Sequence, residues 1–446
     1  MRLLAAVLGL STFLSAQSLP APQESLIFTN VNIVDTGEGR VERNMTVVIE
    51  QGKIRSIARF GLIAGGHGMR VVNAAGKYLI PGLWDMHAHT AERRASWDEK
   101  VIYPLYLANG VTAVRDMGGD PILLAERRQH LERGDLLGPH VFVEEHGSRP
   151  PAQSDSVTLP AEARRDSYVP IAAQSSELTI PFHSSERVSI AELTAQGNRS
   201  VEQLGGILLA CSSQEQSLRE LRLQALTRGD LATYSSLRLE TMATYDPQKA
   251  RQLFLDLALH ATWQVPTLVW SQTMARLDNP QFSSDSRLAY VPRAVRSQWD
   301  PKVLMRHLSA DEFASVKKEA ARDLELTNAM HRIGVQFLAG TDAPDPYVVP
   351  GFSIHDELEW MVKSGFSAGQ ALQAATFNPA LYMVKLDQYG VVKPNHVADL
   401  VLLDGNPLED IRNTRKISAI VLGGKYFSRS DLDQMLAEVK QQAANE

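Results

Sequence analysis

The sequence predicts an α/β protein: a (β/α)8 barrel of the TIM type, its fourth strand missing or degenerate, set between two β-rich ends. Three observations carry this expectation. Through residues 81–385, short apolar runs alternate with helical stretches, the order that builds a parallel sheet covered by helices. That interval is long enough for such a barrel, which takes roughly 250 residues. Residues 24–80 and 386–430 instead carry strand-like runs between turns, so the two ends are expected to form one composite β domain.

From the N-terminus, Arg2 precedes an uncharged apolar run over residues 3–14, too short to cross a bilayer. Ala16 and Ser18 offer small residues for cleavage, and Pro20 follows. Residues 1–18 are therefore expected to be a secretory signal peptide, and the mature chain to be exported, periplasmic or extracellular, with no stable membrane insertion. Residues 26–34 alternate loosely, and 45–49 and 53–58 flank a Gln51-Gly52 turn. Barrel strands are expected at 79–85, 111–114, 140–144, 178–182, 200–204, 265–270 and 335–339. The interval 145–178 holds no apolar run of strand character, so one strand is expected to be missing or degenerate there. Ser353-x-x-Asp356 and Ser367-x-x-Gln370 read as helix caps. Runs at 398–403 and 417–422 return to strand texture, and 431–446 is expected to be a C-terminal tail.

Composition narrows the function. Lys plus Arg number 45 against 51 Asp plus Glu, a net charge of −6, so no basic excess exists to grip nucleic acid. The single cysteine, Cys211, excludes an intrachain disulfide and any cysteine-built zinc site. A metal would have to be held by His, Asp, Glu or a modified Lys.

The candidates for that chemistry sit where apolar runs end. His87 and His89, in Pro81-Gly-Leu-Trp-Asp-Met-His-Ala-His89, have the i, i+2 spacing that puts two imidazoles on one face of a strand. Both could reach one ion at about 2.0–2.1 Å. Asp342 ends the run Gly334-Val-Gln-Phe-Leu-Ala-Gly-Thr-Asp342, where it can bind metal, move a proton, or cap a helix. His183 ends Leu178-Thr-Ile-Pro-Phe-His183, as a ligand or as a buried hydrogen-bonding residue. Arg115-Asp116 could touch substrate or form a buried ion pair. Glu144, Glu145 and His146 read as solvated loop residues, and His355 as an exposed first-turn residue or part of the pocket mouth.

These pieces, with Gly110-Val-Thr-Ala-Val-Arg-Asp116, Pro350-Gly-Phe-Ser-Ile-His-Asp-Glu-Leu358 and Ala398-Asp-Leu-Val-Leu-Leu-Asp-Gly-Asn-Pro407, resemble the amidohydrolase superfamily, in its imidazolonepropionase-like and prolidase-like branch. The resemblance implies a metal-centred barrel with a small β-sandwich built from both termini. It implies a metal set of His87, His89, His183 and Asp342, with Asp342 also catalytic as a proton shuttle. Two positions depart from the family pattern. Gln203 stands where the sixth strand carries a histidine, and no lysine occurs between Lys100 and Lys249 to serve as the fourth-strand bridging lysine. The cofactor expected is therefore a single divalent ion, Zn2+. The implied activity is hydrolysis of carbon–nitrogen bonds other than peptide bonds, or dipeptidase-like cleavage, of a small molecule or short peptide by a metal-activated water. The alternative is a catalytically impaired relative that binds a ligand or does nothing. Substrate identity and any homo-oligomer stay open.

Overall fold

The computed structural model describes residues 25–63, 68–91, 97–118, 120–146, 156–158, 181–182, 188–195, 197–306 and 308–445. The expected signal peptide and His183 lie outside them, as does nearly all of the interval 145–178.

Both chain ends build one sheet. Strands β1 (Leu26–Asp35), β2 (Arg40–Glu50), β3 (Lys53–Arg59), β4 (Arg70–Asn73) and β5 (Tyr78–Pro81) come from the N-terminal side. The C-terminal side adds three more, described below with the barrel strands that precede them. The Gln51-Gly52 turn joins β2 to β3 with both residues left-handed, φ 51° and 77°, the backbone a tight hairpin requires. β1 branches the sheet: Leu26–Thr29 pairs with β4, while Asn32 and Ile33 pair with β5. The expected sandwich is thus realised as a single bonded sheet of eight strands. Its inward residues, among them Phe28, Val47, Leu79, Leu400 and Val421, enclose their own core.

Past Gly82 the chain enters the barrel. Strands β6 (Leu83–Ala88), β7 (Val111–Asp116), β8 (His140–His146) and β9 (Ser156–Thr158) pair in parallel order. Strands β10 (Pro181–Phe182), β11 (Ser200–Glu202) and β12 (Trp263–Val265) form a second parallel run. Residues 336–343 close the ring without a full ladder. Leu338 N donates to Gln264 O at 2.9 Å, Met86 N to Ala339 O at 2.9 Å, and His89 N to Ala343 O at 2.8 Å. The fourth position is therefore filled, by a three-residue strand whose Ser-Val-Thr sequence offers no apolar run to read. Glu144, Glu145 and His146, expected in a loop, have backbones within β8.

After the barrel, β13 (Leu400–Leu403) returns antiparallel onto β5, and β14 (Ile417–Leu422) and β15 (Lys425–Ser428) complete the sheet. Four expectations need correction. The strand expected at 265–270 stops at Val265, because Pro266 cannot donate to a ladder, and a helix, Leu268–Met274, starts instead. Ser353 caps nothing: Gly351, φ 74°, is the N-cap of helix Phe352–Lys363, and Ser353 is buried in its first turn. His355 is neither exposed nor at a pocket mouth but buried, its Nδ1 2.9 Å from Thr414 Oγ1 and its Nε2 3.1 Å from Asn109 O. The tail is a helix, Arg429–Asn445, that buries Leu432, Met435, Val439 and Ala443 at helical spacing and packs beside helix Glu99–Ala108. The Ser367–Gln370 capping box is present as expected. Among the described residues, no helix is long and apolar enough to cross a membrane.

Candidate metal centre

The first barrel strand delivers the histidine pair. Every residue of β6 is buried, so neither face of the strand meets solvent. His87 lies on the strand and His89 just beyond it, with ring centroids 5.5 Å apart. From the closing segment comes Asp342, whose φ of 67° is left-handed, a conformation Asp tolerates better than most residues. The turn is anchored from below, where Asp85 accepts hydrogen bonds from Thr341 N at 2.9 Å and Thr341 Oγ1 at 2.5 Å. Burial pushes the Asp85 carboxyl up to about 6, against the pull of these bonds.

His87, His89 and Asp342 converge. Asp342 Oδ1 is 3.2 Å from His87 Nε2 and 3.0 Å from His89 Nε2. One potential ligand atom from each residue falls within 4.8 Å of the others. Burial works against a charge on His87, but Asp342 and Glu202 together outweigh it and carry its pKa up to about 9. Asp342 is held well below the usual carboxylate range: burial would raise it, and the two imidazoles more than reverse that. This electrostatic state is that of a carboxylate gripped by two imidazoles, and a divalent ion among the same atoms would supply the positive charge instead.

The residues fit such an ion. His87 Nδ1 sits 2.8 Å from Glu202 Oε2, the arrangement in which a ring N–H is given to a carboxylate while the other nitrogen is turned toward a metal. The donors are imidazole and carboxylate, a set that suits zinc. Of the four expected ligands, the structure brings three together, and the fourth, His183, is outside the described residues.

Sequence reading missed Glu202. It is fully buried on β11 and takes a two-pronged ion pair from Arg115 Nη2, at 2.8 and 2.9 Å, and a hydrogen bond from Ser200 Oγ at 2.7 Å. Arg115 is thus the buried ion-pair residue of the two readings open to it, while Asp116 accepts from Thr90 N and Oγ1, each at 2.6 Å. A signal was present: Ser200 and Glu202 share one face of a strand that ends at Glu202. Gln203, noted only as a departure, donates through Nε2 to Asp342 Oδ2 at 2.6 Å.

Comparison with known proteins bears on the fold. Residues 301–426 match the Amidohydrolase family. The matched stretch is less than a third of the chain. A dihydroorotase of Trichlorobacter lovleyi is 32% identical over 78 residues, and the chain spans 18% of that relative's length. Across the whole fold, the amidohydrolase of bottromycin superposes with a TM-score of 0.71 at 19% identity, covering 94% of this chain and 90% of that one. A Xaa-Pro dipeptidase with methionine in its active site superposes at 0.62 with 17% identity, covering 91% of this chain and 100% of that one. The fold is that of the amidohydrolases, a TIM barrel with a β-rich domain, as the sequence motifs led us to expect.

Proposed function

We propose that this chain is a metal-dependent hydrolase of amide-type carbon–nitrogen bonds in a small molecule or short peptide, using one divalent ion, Zn2+, held by His87, His89, Asp342 and His183. The observation that carries the reading is the convergence of the two imidazoles and the carboxylate from opposite ends of the barrel segment. The amidohydrolase-family match, and the dipeptidase and amidohydrolase folds that superpose on the chain, support the choice of bond.

When bound, the ion supplies Lewis acidity and makes a water nucleophilic near neutral pH. The protein's own residues do the rest. His87 and His89 fix the place of attack, and Glu202 holds the ring of His87 in one orientation. Asp342 takes the proton released by the attacking water and delivers it to the leaving nitrogen. Burial of the strand below the site keeps competing water out of the barrel core.

A second reading, an impaired relative that binds without turnover, is favoured by one observation: Gln203 presents an amide N–H where a ligand nitrogen is expected. Metal analysis with dipeptide and cyclic-amide hydrolysis assays separates the two. About one zinc equivalent with turnover supports the hydrolase, and none sinks it. His87→Ala should abolish both zinc binding and hydrolysis while circular dichroism stays unchanged; undiminished turnover in that variant would remove the metal mechanism. Export belongs to the same proposal, and N-terminal sequencing of the secreted protein tests it, with an intact Met1 as the contrary result.

A further inference from the structure

We propose that Glu202, the last residue of β11, and Gln203, the next in the chain, are the positioning residues of a centre built for one ion. The inference rests on the metal-dependent reading above.

Neighbouring residues on a strand point to opposite faces. Here the alternation is broken at the strand's end, where Gln203 and Leu204 are left-handed at φ 55° and 53°. The turn lets two adjacent side chains reach the same site from one strand. Glu202 serves the histidine side. Its Oε2 is 2.8 Å from His87 Nδ1, which sets the ring so that Nε2 faces Asp342. Arg115 anchors this carboxylate with its two-pronged ion pair and is itself pinned, donating through Nε to Met86 O at 2.7 Å. The residue before His87 and the ring of His87 are therefore tied to one buried ion pair.

Gln203 serves the carboxylate side. Its Nε2 holds Asp342 Oδ2 at 2.6 Å, which turns Oδ1 toward the two imidazoles. An amide N–H presents its positive edge, so it occupies the side of Asp342 that a second cation would need. Gln203 is on this view a built-in donor that holds the carboxylate in place and keeps the site to a single ion.

The test is zinc titration of the full chain against a chromophoric chelator, with metal analysis, thermal unfolding of the metal-free protein and visible spectra of the cobalt-loaded protein. Wild type should bind one equivalent. Glu202→Asp keeps a charge for Arg115 but withdraws the oxygen from His87. It should lower zinc affinity by about 10–100-fold and shift the cobalt spectrum, while thermal unfolding of the metal-free protein reads the structural cost separately. Gln203→Leu, remote from Arg115, should cost about tenfold or more. Wild-type affinity in a folded Glu202→Asp overturns the inference. If that variant does not fold, unchanged affinity in Gln203→Leu overturns it instead. Two equivalents on the wild type also overturn it. No zinc on the wild type strikes the hydrolase reading itself, whereas one equivalent with indifferent variants strikes only this inference.

Discussion

Replacing Glu357 by Gln should make stability less dependent on pH. Glu357 is fully buried on helix Phe352–Lys363, and its Oε2 accepts from Val269 N at 2.6 Å. Burial raises its pKa from 4.5 to about 8; the backbone amides of Val269 and Leu268 pull it down, and Asp85 and Asp356 push it up. The sign follows from which state releases its proton first. Below about pH 4.5 both folded and unfolded chains keep the proton, and the group adds nothing to the pH dependence. Between there and about pH 8 the unfolded chain ionises while the folded one does not, so stability falls as pH rises. A rise from 4.5 to about 8 sets a ceiling of about 5 kcal/mol on that fall, at roughly 1.4 kcal/mol per tenfold change in the protonation equilibrium. Gln cannot ionise and keeps an acceptor for Val269 N. Urea unfolding followed by tryptophan fluorescence, from about pH 4.5 to 8.5, should show the variant matching wild type at the acid end and exceeding it at the alkaline end. A gap between the two that does not change with pH, or a variant weaker at the alkaline end, would refute the reasoning.

Two further perturbations probe the site's support and the core. At Gly340 a Cβ would lie 2.7 Å from His87 Cβ and 2.6 Å from Val265 Cγ1, so Gly340→Ala should displace His87 and weaken zinc binding by about tenfold, as read by chelator competition. Unaltered affinity there would mean that the strand can shift without disturbing the ligand. Trp84 is buried and stacked on Phe142 at 4.9 Å between ring centroids, so Trp84→Ala should cost about 3–5 kcal/mol by chemical denaturation. A loss under about 1 kcal/mol would show that the barrel interior can collapse around the vacancy.

The parts of this protein that were legible in its sequence are those where one residue type at one spacing has few structural uses. His87 lies near the end of a strand and His89 follows two residues on, and both lie near Asp342. The Gln51-Gly52 hairpin and the Ser367–Gln370 box are equally local. What escaped reading depends on partners far away in the chain. Glu202 gains its meaning from Arg115 and His87, which are 87 and 115 residues distant. His355 looked like an exposed helix-start residue because Asn109 and Thr414, which bury it, come from elsewhere. The C-terminal helix was read as a tail although its apolar residues recur at helical spacing, since its packing partner, helix Glu99–Ala108, is some three hundred residues earlier. The fourth strand, expected to be missing or degenerate, is the degenerate case: three residues held by backbone pairing need no apolar signature.

The pairing of β5 with β13 has a consequence for how the molecule is made. Tyr78–Pro81 leads directly into the strand that bears His87, yet its antiparallel neighbour is Leu400–Leu403. On the ribosome, at roughly 5–20 residues per second, the 318 residues between Pro81 and Leu400 take about 16–64 seconds to appear. For that time the early strands present an open edge to every other nascent chain nearby. Maturation of the strand that bears His87 therefore waits until Leu400–Leu403 has been made, and a chain cut short before Leu400 would leave that edge open to chaperones and proteases.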